Sequence, residues 1–138
     1  MIETLNGIKG KLHELEPEIP IYNEQVGEGN QGPAFLVMQI KSEQLNGLNG
    51  RYIRTTQYDV EYFPDLNSPS KIEDCRSMGE RLYEALAFIN VNGQIRAKAM
   101  SYEIINRVLH FHVNFTVTLF EEKPVEPKMQ KLEEEVRT

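Results

Sequence analysis

The chain has 138 residues and an apolar content of 40%, the size and make-up of one globular domain and too apolar for disorder throughout. Its 15 basic against 21 acidic side chains leave a formal charge of −6; no segment is strongly basic, so nucleic acid and anionic membranes are poor partners on charge alone, and neither is expected. The first ten residues lack the basic and apolar regions of a signal peptide, and the longest apolar runs (Ala34–Met38 and Ala85–Ile89) fall far short of the ~20 residues of a membrane helix, so an intracellular, soluble protein is expected.

Residues 2–16 set Leu5, Ile8, Leu12 and Leu15 on one helical face, and Pro17 stops the helix. Gly7 and Gly10 each cost about 1 kcal/mol in a helix interior, so this helix depends on tertiary packing. Ile19–Val26 reads as a short extended segment placed by Pro20 at an edge or a strand start. After the glycine-rich loop Gly27–Gly32, Ala34–Lys41 reads as a strand, and Gln44–Gly50 with its two Asn-Gly pairs as a turn. A long strand is expected over Arg51–Phe63, with Tyr52, Tyr58, Val60 and Tyr62 on one side and Thr55, Gln57, Asp59 and Glu61 on the other.

Beyond the breaker cluster Pro64–Pro69, Ser70 and Glu73 have the spacing of a capping box that opens a second helix. Its inward stripe is expected to be Ile72, Cys75, Gly79, Leu82, Tyr83 and Leu86, ending near Phe88, before a turn at Asn90–Gly93. Two strands follow, Ile95–Ile105 and Val108–Phe120, joined through Asn106-Arg107 as a hairpin. The second alternates strictly, Leu109, Phe111, Val113, Phe115, Val117 and Leu119 against His110, His112, Asn114, Thr116 and Thr118, as in a sheet buried on one face. The order α-β-β-β-α-β-β predicts an α+β domain over residues 1–122, an antiparallel sheet of about five strands with two helices on one face. Both sheet edges then need blunting or a partner. Residues 123–138, rich in Glu and Pro, are expected to form a charged, flexible tail.

No catalytic constellation emerges. Gly27-Glu28-Gly29-Asn30-Gln31-Gly32 spells the dinucleotide-binding pattern G-x-G-x-x-G, but that chemistry needs a helix N-terminus directly after it, and here Pro33 and a strand follow. His110 and His112 project from one strand face, and with Glu103 on the neighbouring strand they could ligate zinc or iron; solvated or interface histidines are the expectation. The pair Asp59 and Glu61 is expected to belong to a solvated charged face. Cys75 alone can form neither an internal disulfide nor a thiolate metal site, and on an apolar stripe it reads as a small hydrophobe. The six tyrosines read as core residues with hydroxyls reaching outward. No enzyme activity, cofactor or metal is expected.

Several stretches, in order, resemble small tail-terminator (tail-completion) proteins of long-tailed bacteriophages and prophages. They are Leu15-Glu16-Pro17-Glu18-Ile19-Pro20-Ile21-Tyr22, Pro33-Ala34-Phe35, Arg51-Tyr52 with Arg54-Thr55, and Tyr58-Asp59-Val60-Glu61-Tyr62-Phe63-Pro64. Met78-Gly79-Glu80-Arg81-Leu82-Tyr83-Glu84-Ala85-Leu86, Tyr102-Glu103-Ile104 and Val108-Leu109-His110-Phe111-His112-Val113-Asn114-Phe115 continue the likeness, which runs to about Met129. One departure is Asn106-Arg107, where a glycine is expected in the turn.

The resemblance implies a structural virion protein, in the host cytoplasm during assembly and then at the head-proximal end of the tail. As a ring, commonly six-fold, it would cap the tail tube, end tail polymerisation and offer a head-tail joining surface. The implied partners are further copies of itself, the tube protein and the head-side connector or neck protein. Contacts are expected from loops and edges, at Gly27, Gly29, Asn30, Gln44, Asn46, Asn49, Arg51, Glu121 and Glu122. The alternative is a small α+β ligand-binding or enzymatic domain with a site under the Gly27–Gly32 loop.

Overall fold

The computed structural model describes residues 2–27 and 29–120; Glu121, Glu122 and the expected tail lie outside them. Eight elements follow in order: α1 (Ile2–Leu15), β1 (Ile21–Tyr22), β2 (Ala34–Asn46), β3 (Arg51–Phe63), α2 (Lys71–Ala85), β4 (Phe88–Asn90), β5 (Gln94–Ile105) and β6 (Val108–Phe120). They build one six-stranded sheet in the order β1-β2-β3-β6-β5-β4. All pairs are antiparallel except β1 with β2, which run parallel.

The sheet curls. Helix α1 touches β1 and β2 near one edge and β4 at the other, and α2 lies across β3, β6 and β5. The core between helices and sheet contains Ile8 and Leu12 of α1, Cys75, Met78 and Leu82 of α2, and the inward residues Phe35, Val37, Tyr58, Val60, Leu109, Phe111, Val113 and Phe115. The helical face expected for α1 and the alternation expected for β6 are both present. Gly7 is where α1 meets β4: a Cβ there would lie 3.2 Å from Ile89.

The expectation of about five antiparallel strands needs correction. The sixth strand is β4, in the span expected to end the second helix and begin a turn. Leu86 caps α2, and Phe88 and Ile89 then pair with Arg96 and Ile95, which puts Ile89 fully in the core. The extended segment after Pro20 contributes only Ile21 and Tyr22, parallel to Phe35 and Leu36. Strand β2 runs five residues past Lys41, because Ser42 to Asn46 continue the ladder with β3 beyond a bulge at Ile40. The turn is therefore confined to Gly47–Gly50.

The start of α2 also differs. Ser70 is the N-cap residue, but its side chain makes no capping hydrogen bond. The hydroxyls of Ser68 and Ser70 donate instead to Asp74, and Glu73 pairs with Arg76, so no capping box forms. Ile72, on the first turn of α2, is 59% exposed, and Met78 joins the core instead. Gly79 is a point of close approach, since a Cβ there would sit 2.9 Å from the Tyr102 ring. Tyr83, Tyr102 and Phe111 pack around that point with ring centroids 5.3–6.5 Å apart, and the Tyr102 hydroxyl reaches out to donate to Glu80 at 2.8 Å.

The β5–β6 hairpin closes through Asn106 and Arg107 with φ of 53° and 63°, the left-handed pair of a two-residue type I′ turn. The turn expected to need glycine is thus made with Arg in the position glycine usually fills.

Candidate functional site

Strands β2, β3 and β6 continue past the core as a three-stranded arm, residues 43–46, 51–55 and 116–120. At Phe115, strand β5 is already at its last ladder partner, Ala97; beyond there β6 pairs only with β3. On the other side β2 has no neighbour but β3 after Leu36. The arm therefore carries two open edges, each a row of backbone donors and acceptors able to pair with another strand.

Its two faces differ. Leu45, Ile53 and Thr118 lie opposite one another across the ladder, and Arg51 opposite Phe120, so Leu45, Ile53 and Phe120 share the face turned away from the helices. Leu45 is 72% and Phe120 67% exposed, and Leu48, at the tip, 85%. The Arg51 guanidinium sits 5.8 Å from the centre of the Phe120 ring. The opposite face carries a polar chain in which Arg54 donates to Gln44 and Gln44 donates to Asn46 at 2.9 Å, with Arg54 stacked 5.3 Å over Tyr52. The tip is held by Gly47 N–H donating to Arg51 at 2.7 Å, with Asn49 and Gly50 at φ of 60° and 75°.

Of the expected contact residues, Gln44, Asn46, Asn49 and Arg51 are thus gathered on this one tip. Gly27, Gly29 and Asn30 lie beside Tyr22, near the other end of β2, roughly 40 Å away along a strand at ~3.3 Å per residue. That loop is pinned down: Asn30 donates to the Tyr22 hydroxyl at 3.1 Å, and a Cβ on Gly27 would meet the same hydroxyl at 3.1 Å. Tyr22 thus occupies the space beneath Gly27. Glu121 and Glu122 lie outside the described residues.

The outer sheet face over the core holds a second feature. Register sets Leu36, Glu61, His110 and Glu103 in one row across β2, β3, β6 and β5, and Met38, Asp59, His112 and Ser101 in the next. The solvated charged face expected for Asp59 and Glu61 is not what forms: Asp59 is only 8% exposed. His110 Nδ1 lies 3.5 Å from Glu61 Oε2 and 3.7 Å from Asp59 Oδ2. His112 Nδ1 lies 3.7 Å from Asp59 Oδ1, and its Nε2 3.8 Å from Glu103 Oε2. Asp59 Oδ1 and His112 Nδ1 are buried without a hydrogen bond. Burial, and then the Asp59 carboxylate beside it, push the Glu61 carboxyl up to about 7, with His110 pulling it partway back.

The β5–β6 hairpin expected from the sequence sets Glu103 beside the histidines, and the register agrees. The sequence does not bring Asp59 and Glu61 to them, because β3 and β6 are separated by a helix and two strands. Cys75 is fully buried, and burial raises its thiol pKa, which favours the neutral thiol over a nucleophilic thiolate. Among the described residues no helix is long and apolar enough to cross a membrane.

One solved protein structure aligns with 89% of this chain and 96% of its own at 12% identity, with a TM-score of 0.44. No match was found among curated proteins. The phage tail terminator protein family, by contrast, matches residues 3–127. The chain belongs to the phage tail terminator family.

Proposed function

We propose that this protein caps the tail tube of a long-tailed phage or prophage as a ring of identical subunits, commonly six. The ring ends tube polymerisation and presents the surface that the head-side connector joins. Its role is structural rather than enzymatic, performed first in the host cytoplasm and then in the virion tail.

The observation that carries this reading is the arm, with its apolar outer face and two open edges. A closed ring needs a head-to-tail contact, one patch of a subunit meeting a different patch on its neighbour. Leu45, Leu48, Ile53 and Phe120 supply apolar area at the arm, and the loop beside Tyr22 offers a separate polar surface roughly 40 Å along β2. Both ring faces then remain available, one for the tube and one for the connector. Each subunit contact can be weak, because about six repeats on a symmetric tube act together, and a monomeric free protein is compatible with the ring.

Genetics tests this directly. A phage lacking the gene should fill heads but make tails that fail to join them, often overlong. Normal-length tails firmly attached to heads in that mutant would overturn the proposal.

A further inference from the structure

The outer-face cluster is built like a cation site and poorly built as a set of ion pairs. Charged hydrogen bonds between imidazole and carboxylate close to about 2.7–2.9 Å, yet every histidine–carboxylate approach here is 3.5–3.8 Å. Two carboxylates stand side by side, and among the described residues no Lys or Arg forms an ion pair with either. The β2 residues beside them, Leu36 and Met38, offer no charge. On Asp59, more than nine-tenths buried, Oδ1 faces His112 Nδ1 at 3.7 Å, and both atoms are buried without a hydrogen bond.

The spacing suits one small metal ion. Ligand atoms about 2.0–2.1 Å from a tetrahedral zinc ion stand roughly 3.4 Å from one another. Asp59, Glu61 and His110 can each bring a ligand atom to within 4.8 Å of the other two, and His110 Nδ1 is 3.5 and 3.7 Å from the two carboxylates. Modest side-chain rotation closes the rest. Oxygen and imidazole donors together are the donor set of zinc-class divalent ions.

We propose that Asp59, Glu61 and His110 bind one zinc-class divalent cation on the outer face of the sheet, with water completing its coordination. His112 is the positioning residue. Its Nδ1 faces the Asp59 oxygen opposite the metal-facing one, and its Nε2 faces Glu103, so it can hold the Asp59 carboxylate in orientation as outer partners of metal ligands do. The ion ties β3 to β6, the central strand pair of the sheet, just below the arm.

The full-length protein, stripped with chelator and exchanged into metal-free buffer, should be titrated with Co²⁺ while its visible d–d absorption is recorded, then with Zn²⁺ in competition. One equivalent of Co²⁺ is expected to bind, to be displaced by Zn²⁺, and to raise the melting temperature. Glu61→Gln and His110→Asn should abolish the saturable signal, and His112→Asn should weaken binding on the order of 10–100-fold. His13→Asn, at an exposed position of α1, should leave it unchanged. Circular dichroism in chelator establishes that each variant is folded, and Glu61→Gln is nearly isosteric. Absence of saturable binding in the wild type would overturn the proposal, as would binding that survives both Glu61→Gln and His110→Asn.

Discussion

Strands β2, β3 and β6 each run through two environments, and the polarity of β2 and β3 changes between them, while β6 keeps Val117 and Leu119 on the helix side. Over the core, inward positions are apolar (Phe35, Val37, Tyr58, Val60, Phe111, Val113) and the outward ones of β3 and β6 carry Asp59, Glu61, His110 and His112. On the arm, the helix-side positions of β2 and β3 become Gln44, Asn46 and Arg54, and the outer ones become Leu45 and Ile53, joined by Phe120 of β6. A side chain is placed by what lies over it. Where the helices end, full burial within the chain ends too: Val117 and Leu119 on the helix side are only partly buried, and the most exposed apolar residues, Leu45, Ile53 and Phe120, lie on the opposite face. The helix-covered half holds the core, and the proposed function gives the arm to an external partner.

The largest effects should come from the covered half. Leu82→Ala or Phe111→Ala removes a fully buried side chain and should cost about 2–5 kcal/mol in urea unfolding. A loss within experimental error for both would mean that the core has been misplaced. Next comes Gly79→Ala, whose Cβ would press on the Tyr102 ring at 2.9 Å. About 1–3 kcal/mol of destabilisation is expected, and Tyr102→Leu in the same chain should recover part of it, a coupling that a double-mutant cycle measures.

How much of this was legible in the sequence follows the range of the interactions. The α1 stripe and the β6 alternation depend on near neighbours in the chain and were readable directly. The β4 strand was not, because Phe88-Ile89-Asn90 is too short to show a period and forms only against β5. Ile72 continues the helical stripe by spacing, yet is 59% exposed, because spacing along one helix does not say where its packing partners end. The Gln44–Gly50 turn signal was real but too wide: ladder pairing with β3 claims residues up to Asn46. The acid–histidine cluster needed the β3–β6 register, a non-local pairing that no local pattern encodes. Gln44, Asn46, Asn49 and Arg51 stand out in the sequence only as part of a polar, glycine-rich loop, and pairing across β2 and β3 gathers them on one tip.

The cluster makes the outer face of the core sensitive to pH. In protein without added metal, the folded state holds the Glu61 proton up to about pH 7, against an ordinary 4.5. This contribution to stability is fully present below about pH 4.5 and is lost as pH rises through about 7. The difference in urea midpoint between wild type and Glu61→Gln should therefore change across that window; a constant difference would contradict the burial of the pair. Smaller still is Arg107→Gly, which relieves a left-handed non-glycine position at φ of 63° and should stabilise by about 1 kcal/mol. Thermal denaturation reads this as a rise in melting temperature, and a fall would show that the Arg107 side chain contributes more than its backbone strain costs.

On the arm, Leu45→Ser and Ile53→Ser should shift stability by less than about 0.5 kcal/mol, as exposed substitutions do. Incorporation into tails, scored by complementing a phage that lacks the gene, should nevertheless drop sharply. The most direct measurement is hydrogen exchange by mass spectrometry on the free protein and on assembled tails. Segments 43–55 and 116–120 should gain protection on assembly, most of all at the tip Gly47–Gly50 and the open edge of β2, while residues 58–63 and 109–115 stay as they were. Equal protection of the arm in free protein and assembled tails would contradict its role as the assembly surface.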